Sequence, residues 1–235
     1  MKTITSGRAD HIIGGLGATG GTGLVSKGNH VTFKNGAADG VFGTSMEETT
    51  NAHTVEGNYV DFENGTANSV FGAFNKGTGE TKGNYITFKG GSVTKDVLGA
   101  FIVNAANSSA VTGNRVTYAS GTVSRDVQGA YSQGTGEMKE NSVTVQSGTV
   151  QGGICGAVNA GTAGDVTQNS VQFNGGTATA GVGVTGGSVI AAASSGSVTG
   201  NHVEATGGTS NILTGGSHYG SGALTGNHVE LRGGT

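Results

Sequence analysis

An asparagine followed two positions later by valine or isoleucine recurs eight times, at Asn29, Asn58, Asn84, Asn114, Asn141, Asn169, Asn201 and Asn227, with successive spacings of 29, 26, 30, 27, 28, 32 and 26 residues. A period near 28 residues marks a chain built from stacked supersecondary units, none of which is stable alone. The fourth residue after each asparagine is Phe33, Phe62, Phe88, Tyr118, Val145, Phe173, Ala205 or Leu231. Asparagine, Val/Ile and this residue therefore share one side of an alternating pattern, as on a strand with one buried face. In the first copy, "GNHVTFKNG", Asn29, Val31 and Phe33 are expected inside, while His30 and Thr32 face water.

A turn marked NG, GG or SG follows, then a second run anchored on a branched apolar residue: Val41, Val70, Val97, Val127, Ile154, Val182 and Ile212. A third apolar position lies three residues before most of the asparagines, at Val55, Val111, Met138, Val166, Val198 and Leu224. Three short strands per unit, glycine-rich corners and no helix-length amphipathic run predict an all-β fold. The architecture that fits is a parallel β-solenoid of about eight coils, one three-strand repeat per coil, with residues 1–235 forming a single domain. Coils stacked at about 4.8 Å would span on the order of 40 Å. The asparagine amides could then hydrogen-bond from coil to coil, as stacked amides do in cross-β packing. Propeller blades need about 40 residues or more, longer than these units.

Glycine supplies 48 of 235 residues and proline none, yet the fixed places of valine and phenylalanine argue against a disordered linker. Charged residues make up 11% and the net charge is −3, so no basic field exists to hold nucleic acid or an anionic membrane surface. The single cysteine, Cys155, has no partner for an internal disulfide and no neighbours for a metal cage, and is read as a small apolar side chain. The sequence contains neither the apolar run of a signal peptide nor eighteen consecutive apolar residues, so no membrane insertion of this segment is expected. Because "ADHIIGGLGATGGTG" starts inside a unit and "GNHVELRGGT" stops after a first strand, the chain reads as a segment of a longer array.

Distances from each asparagine to the next second-strand anchor are nearly constant, at 12, 12, 13, 13, 13, 13 and 11 residues, whereas those from anchor to next asparagine run 17, 14, 17, 14, 15, 19 and 15. Insertions thus collect on the arm after the second strand, where repeat proteins often bind. Residues 44–53, 102–110 and 183–196 are the candidate binding loops, with Thr44, Ser45, Met46, Glu47, Glu48, Ile102, Asn104, Asn107, Thr185, Ser188 and Ile190 as candidate contacts. The competing reading is slack in a tolerant scaffold. Phe42, Phe71, Leu98, Gln128 and Cys155 follow the anchors, and strict alternation would make them an outward contact stripe. The preferred expectation is that the strand ends there and a corner turns them into the core.

Repeats such as "GNRVTYASGTVSRDVQGAYSQGTGE" and "NSVTVQSGTVQGGICGAV" resemble the Gly- and Asn-rich repeats of bacterial autotransporter passengers and related large surface adhesins. The resemblance covers nearly the whole chain and concerns a style of repeat. It implies a right-handed β-helix on the outside of a bacterial cell, used for adhesion, self-association or as a stalk, with a host surface protein, a glycan or another copy as partner. The "NSV" phrases at Asn141 and Asn169 also resemble trimeric adhesin heads, whose repeats are shorter. The alternatives are a structural spacer or fibre, and a carbohydrate-active β-helix enzyme.

Local chemistry adds little toward catalysis. "GLGATG", residues 15–20, satisfies G-x-G-x-x-G but no helix can follow it, so no cofactor is expected. "NHVEATGG" and "NHVELRGG" place His202, Glu204, His228 and Glu230 at equivalent outward positions, a possible metal or acid–base patch if adjacent coils stack in register. Asp96 and Asp126 similarly precede neighbouring anchors, but Lys95 and Arg125 beside them favour a charge-balanced surface over a glycosidase pair. Threonines 32, 87, 117 and 144 hint at an ice-binding row that Asp61, Gln172, Glu204 and Glu230 interrupt. No nucleophile elbow or zinc-protease helix is present, and enzyme activity is not expected.

Overall fold

The computed structural model describes residues 2–18, 25–179 and 183–234. Strands are its only regular elements among the described residues, and every strand pair is parallel. One repeat makes one coil: Val31 pairs with Val60, Val60 with Ile86, Ile86 with Val116, and so on to Val203 with Val229. The chain is thus a parallel β-solenoid with three faces. Counted among the described residues, as are the other two sheets, the first sheet has nine strands and carries the alternating segments such as His30–Phe33 and Arg115–Tyr118. The second has thirteen, including Ala37–Met46 and Val97–Ile102, and the third has eight two-residue strands such as Val111–Thr112.

Alternation decides what goes inside. Val31, Val60, Val171 and Val203 are fully buried, as are Phe33, Phe62 and Phe88. The rings of Phe33, Phe62, Phe88 and Tyr118 stack at centroid distances of 4.8, 4.9 and 5.2 Å, each contributing about 1.5–3 kcal/mol by burial. Burial also pushes the Tyr118 hydroxyl pKa up to about 12, and that hydroxyl donates to the Thr149 carbonyl at 3.2 Å. A second compartment, holding Ile102, Val111, Met138, Val166 and Val198, lies between the second and third sheets.

The asparagine ladder stands beside both compartments. From Asn29 to Asn201, the side-chain amide of each donates to the Oδ1 of the next at 2.8–3.0 Å, and the same Oδ1 also accepts the backbone N–H of the preceding asparagine. The interior rungs bond further to a third-strand carbonyl, as Asn114 does to Thr81 and Asn141 to Val111. Every buried amide of this ladder therefore has partners, which is what lets a polar column run through an apolar interior.

The residue before each asparagine adopts a left-handed conformation. Glycine fills that place at Gly57, Gly83 and Gly113, with φ of 63°, 61° and 62°, and Glu140 and Gln168 fill it at 58° and 55°.

Several expectations are corrected. Val182 lies outside the described residues, and the position in register with Ile154 is Val184, which in turn pairs with Leu213; Ile212 is 44% exposed. Thr44, Ser45 and Met46 belong to the strand Ala37–Met46, Ile102 to Val97–Ile102, and Thr185 and Ser188 to Val184–Val189, so none of these is a loop residue. Gly15 to Gly17 end the strand Arg8–Gly17, and residues 19 and 20 of "GLGATG" lie outside the described residues. The physical reason for the misplaced loops is the glycine two residues after each anchor. It bends the second strand and the strand goes on: Val97, Leu98, Ala100, Phe101 and Ile102 all pair with the next coil, and only Gly99 is skipped. A Cβ at Gly99 would collide with the Gly129 carbonyl of the next coil, so this bend admits no side chain.

The extra residue between asparagine and anchor also has a structural meaning. Val70 follows Asn58 by 12 residues and the strand Thr66–Asn75 runs unbroken; Val97 follows Asn84 by 13 and the strand divides into Ser92–Val93 and Val97–Ile102. Asp96 and Asp126 occupy the break. Asp96 Oδ1 accepts the Asp126 N–H at 3.2 Å, and Asp126 Oδ1 accepts the Gly153 N–H at 2.8 Å.

Candidate functional site, an external groove along the second sheet

The bend at the glycine sends two residues per coil to the outside. Val97 packs in the main core and Ala100 and Ile102 in the second compartment, which leaves Leu98 and Phe101 on the outer face of the same strand. Register extends these into two parallel ladders: Phe42, Phe71, Leu98, Gln128, Cys155 and Thr185 in one, and Ser45, Phe74, Phe101, Tyr131, Val158 and Ser188 in the other. Thr214 and Ser217 continue them. The ladders converge across the bend, as the 6.2 Å separation of the Phe71 and Phe74 rings shows. The expectation that a corner buries the residues after the anchors is therefore overturned. Phe71, Leu98, Gln128 and Cys155 are 4–7% exposed because they pack on one another along the outer face, not because they enter the core.

The two ladders form a groove that runs along the stacking axis, and its filling changes along its length. Toward the N-terminal coils, Phe42, Phe71, Phe74 and Phe101 fill it with edge-to-face contacts at 5.2–6.3 Å. From Gln128 onward the side chains shrink, and a cavity of about 480 Å³ opens over Cys155, Val158, Thr185, Ser188, Thr214 and Ser217. Ile190, Ile212 and Tyr219, at 46%, 44% and 69% exposure, stand along it.

Its open part is rich in hydroxyls, with Asp126 the one ionic side chain among the described residues that line it. Among the described residues the hydroxyls of Thr185, Ser188, Thr214 and Ser217 make no hydrogen bond within the protein, and the buried Oε1 of Gln128 has no partner. Cys155 is inert: burial raises its thiol to about 12 and its Sγ lies 3.1 Å from the Ala157 carbonyl. Asp96 and Asp126 lie at the groove wall beside Lys95 and Arg125. Arg125 reaches Asp96 at 3.4 Å, and desolvation by burial raises the Asp96 carboxyl above its ordinary value.

The remaining sequence candidates have other work. Thr44, Met46 and Ile102 are fully buried, and Thr44 hydrogen-bonds Ser26. Glu47 pairs with Lys76, and Glu48 caps the turn at Thr50 through its carboxylate. Asn104 ties its loop to the carbonyls of Lys76 and Thr49, and the buried Asn107 does so to Gly77. These loops are thus fastened coil to coil.

At the last coils, His202 pairs with His228 and Glu204 with Glu230, as the sequence placed them. The four groups do not converge on a common centre. The imidazoles lie over one another at 4.3 Å, and Arg232 takes both carboxylates, Glu230 at 2.7 Å and Glu204 at 3.4 Å. Among the described residues no group of three or more His, Cys, Asp or Glu forms a metal site. On the same face His30, Tyr59 and Tyr85 stack at 3.8 and 4.6 Å with the Arg115 guanidinium over Tyr85, so their ring faces are spent on each other.

Sequence reasoning weighs the first groove ladder as an outward stripe but prefers a corner that buries it, and it does not recognise the second as a ladder. Tyr131, Val158, Ser188 and Ser217 sit four residues after their anchors, and the signal that marks them is the bend glycine in V-x-G, which restarts the alternation. The fold and the groove define a β-solenoid repeat protein with an external cleft along its second sheet. Comparisons with protein-family models, curated proteins and solved structures return no match for this chain.

Proposed function

We propose that the chain is a bacterial surface adhesin segment of the autotransporter-passenger kind, a rigid rod that binds through the groove of its second sheet. The observation that carries this reading is the groove itself: in its C-terminal half the side chains of Thr185, Ser188, Thr214 and Ser217 line the cavity and neither fill the core nor bond to the scaffold. Rigid stacking holds those groups in place, so little conformational entropy is lost when a partner docks. The partner is a host surface protein, a glycan or another copy of the chain, outside the cell. The reading has binding without turnover, because both Asp96 and Asp126 spend an oxygen on a backbone N–H of the next coil.

Beads coated with the protein test this. Adherence to cultured epithelial cells, or bead-to-bead clumping, should exceed that of albumin-coated beads several-fold. Equal adherence and equal clumping would reject adhesion and leave the spacer reading. A carbohydrate-active enzyme is favoured only by the presence of Asp96 and Asp126 at the groove wall. Release of reducing ends from a polysaccharide would establish it.

A further inference from the structure

We propose that the groove binds a neutral, linear, polyhydroxylated chain, an oligosaccharide stretch lying along the stacking axis with the Gln128 amide at its centre; this rests on the reading of the groove as the binding surface. The first observation is Gln128 itself. It is 7% exposed, lines the groove on both the aromatic and the open side, and leaves Oε1 without a hydrogen-bond partner. A buried amide oxygen without a donor is costly; less than 1 Å² of it is accessible as it stands, and rotation of the terminal amide brings it to a ligand hydroxyl, which supplies the donor.

The second observation is the floor. Thr185, Ser188, Thr214 and Ser217 offer hydroxyls that both donate and accept, the match for a ligand carrying hydroxyls of its own. They succeed one another at the coil rise, so Gln128 to Thr214 covers three rises, about 14 Å. That length suits three or four sugar units in an extended chain. Tyr131, Val158, Ile190 and Tyr219 add apolar surface for the C–H faces of the rings.

Charge and backbone exclude the other occupants. Among the described residues the open cavity has one ionic lining side chain, Asp126, while Lys95, Arg125 and Asp96 line the neighbouring stretch over Phe71 and Phe101, so the site has no cationic field to select a polyanion. The floor strands Val127–Ser132, Ile154–Asn159 and Val184–Val189 pair on both sides within the solenoid. Their backbone groups are therefore spent, and an extended peptide finds no strand edge to join.

The test is calorimetric titration of the whole chain with cellohexaose, xylohexaose, mannohexaose and N-acetylchitohexaose, alongside hexagalacturonate and an extended Gly/Ser/Thr peptide. At least one neutral hexasaccharide should bind. Two variants use side chains that the fold already accepts at the same ladder positions. Gln128→Leu copies Leu98 one coil earlier and should weaken binding at least tenfold; the double variant Thr185→Phe/Ser188→Phe copies Phe71 and Phe74 and should abolish it. Thermal unfolding near that of the parent shows that each variant is folded, and Gln128→Leu alone suffices if the double variant is not. The proposal is overturned if no neutral hexasaccharide binds, if only the polyanion or the peptide does, or if Gln128→Leu binds as the parent does. Adhesion of coated beads that persists after such a failure would leave the adhesin reading intact and remove only its ligand.

Discussion

Glu140 and Gln168 put a side chain where six other coils have glycine before the ladder asparagine, and both take a positive φ, 58° and 55°. An L-residue there costs roughly 1–2 kcal/mol, partly offset by the greater unfolded-state freedom of glycine. The ion pair of Glu140 with Lys139, at 3.5 Å on an exposed surface, contributes little against that. Glu140→Gly should therefore raise stability by about 0.5–1 kcal/mol, read as a higher urea midpoint at unchanged slope. A lower midpoint would show that the side chain matters more than the strain. At this scale the sequence was an open text: Asn29, Val31 and Phe33 could be assigned inward because alternation leaves one solution, and the structure places them there. The spacing from Asn169 points to Val182, whereas Val184 is the residue in register with Ile154, and the signal that marks it is the bend glycine after Thr185.

Among elements, the second strand was the hard one to read, and its difficulty is physical. Glycine inside a strand commonly signals a corner, but here the ladder resumes on the far side of Gly99 and Gly129 because each coil nests on the backbone of the next. Two outward residues per coil result, and the candidate site is made from them. Thr185 and Ser188, loop residues by the spacing argument, line the groove from a strand, whereas Asn104 and Asn107 belong to the scaffold. The first sheet carries a prediction of its own at its C-terminal end. His202 is held below its ordinary pKa, first by desolvation and then by the charge of His228, with Glu204 and Glu230 acting the other way and Arg232 pairing with both. A histidine depressed in the folded state takes up more protons when unfolded, so its stability contribution is complete above about pH 6.5 and is lost as pH falls through the lowered folded value. The melting temperature should therefore drop between pH 7.5 and 5, and His202→Gln should shrink that drop. An identical drop in the variant would assign the acid sensitivity to other groups.

For the whole molecule, everything rests on one coil per repeat in strict register. The Asn amides meet, the groove ladders align and the His/Glu pairs face each other only because the same position in successive repeats stacks at one interstrand spacing. The period in the sequence made this architecture legible. It could not reveal the groove, because whether the two ladders converge depends on a bend angle that periodicity does not encode. Disulfide trapping on the outer face of the first sheet measures the register directly. Thr117 and Thr144 are Cα partners in adjacent coils, and Gln172 is the partner of Thr144 one coil further on. Adjacent coils lie about 4.8 Å apart and alternate ones about 9.6 Å, against a Cα separation of about 4.4–6.8 Å for a disulfide. Mild oxidation should link the pair Thr117→Cys/Thr144→Cys, seen as a mass loss of two hydrogens, and leave Thr117→Cys/Gln172→Cys reduced. Equal trapping of both pairs, or trapping of the second alone, would contradict the stacked coil.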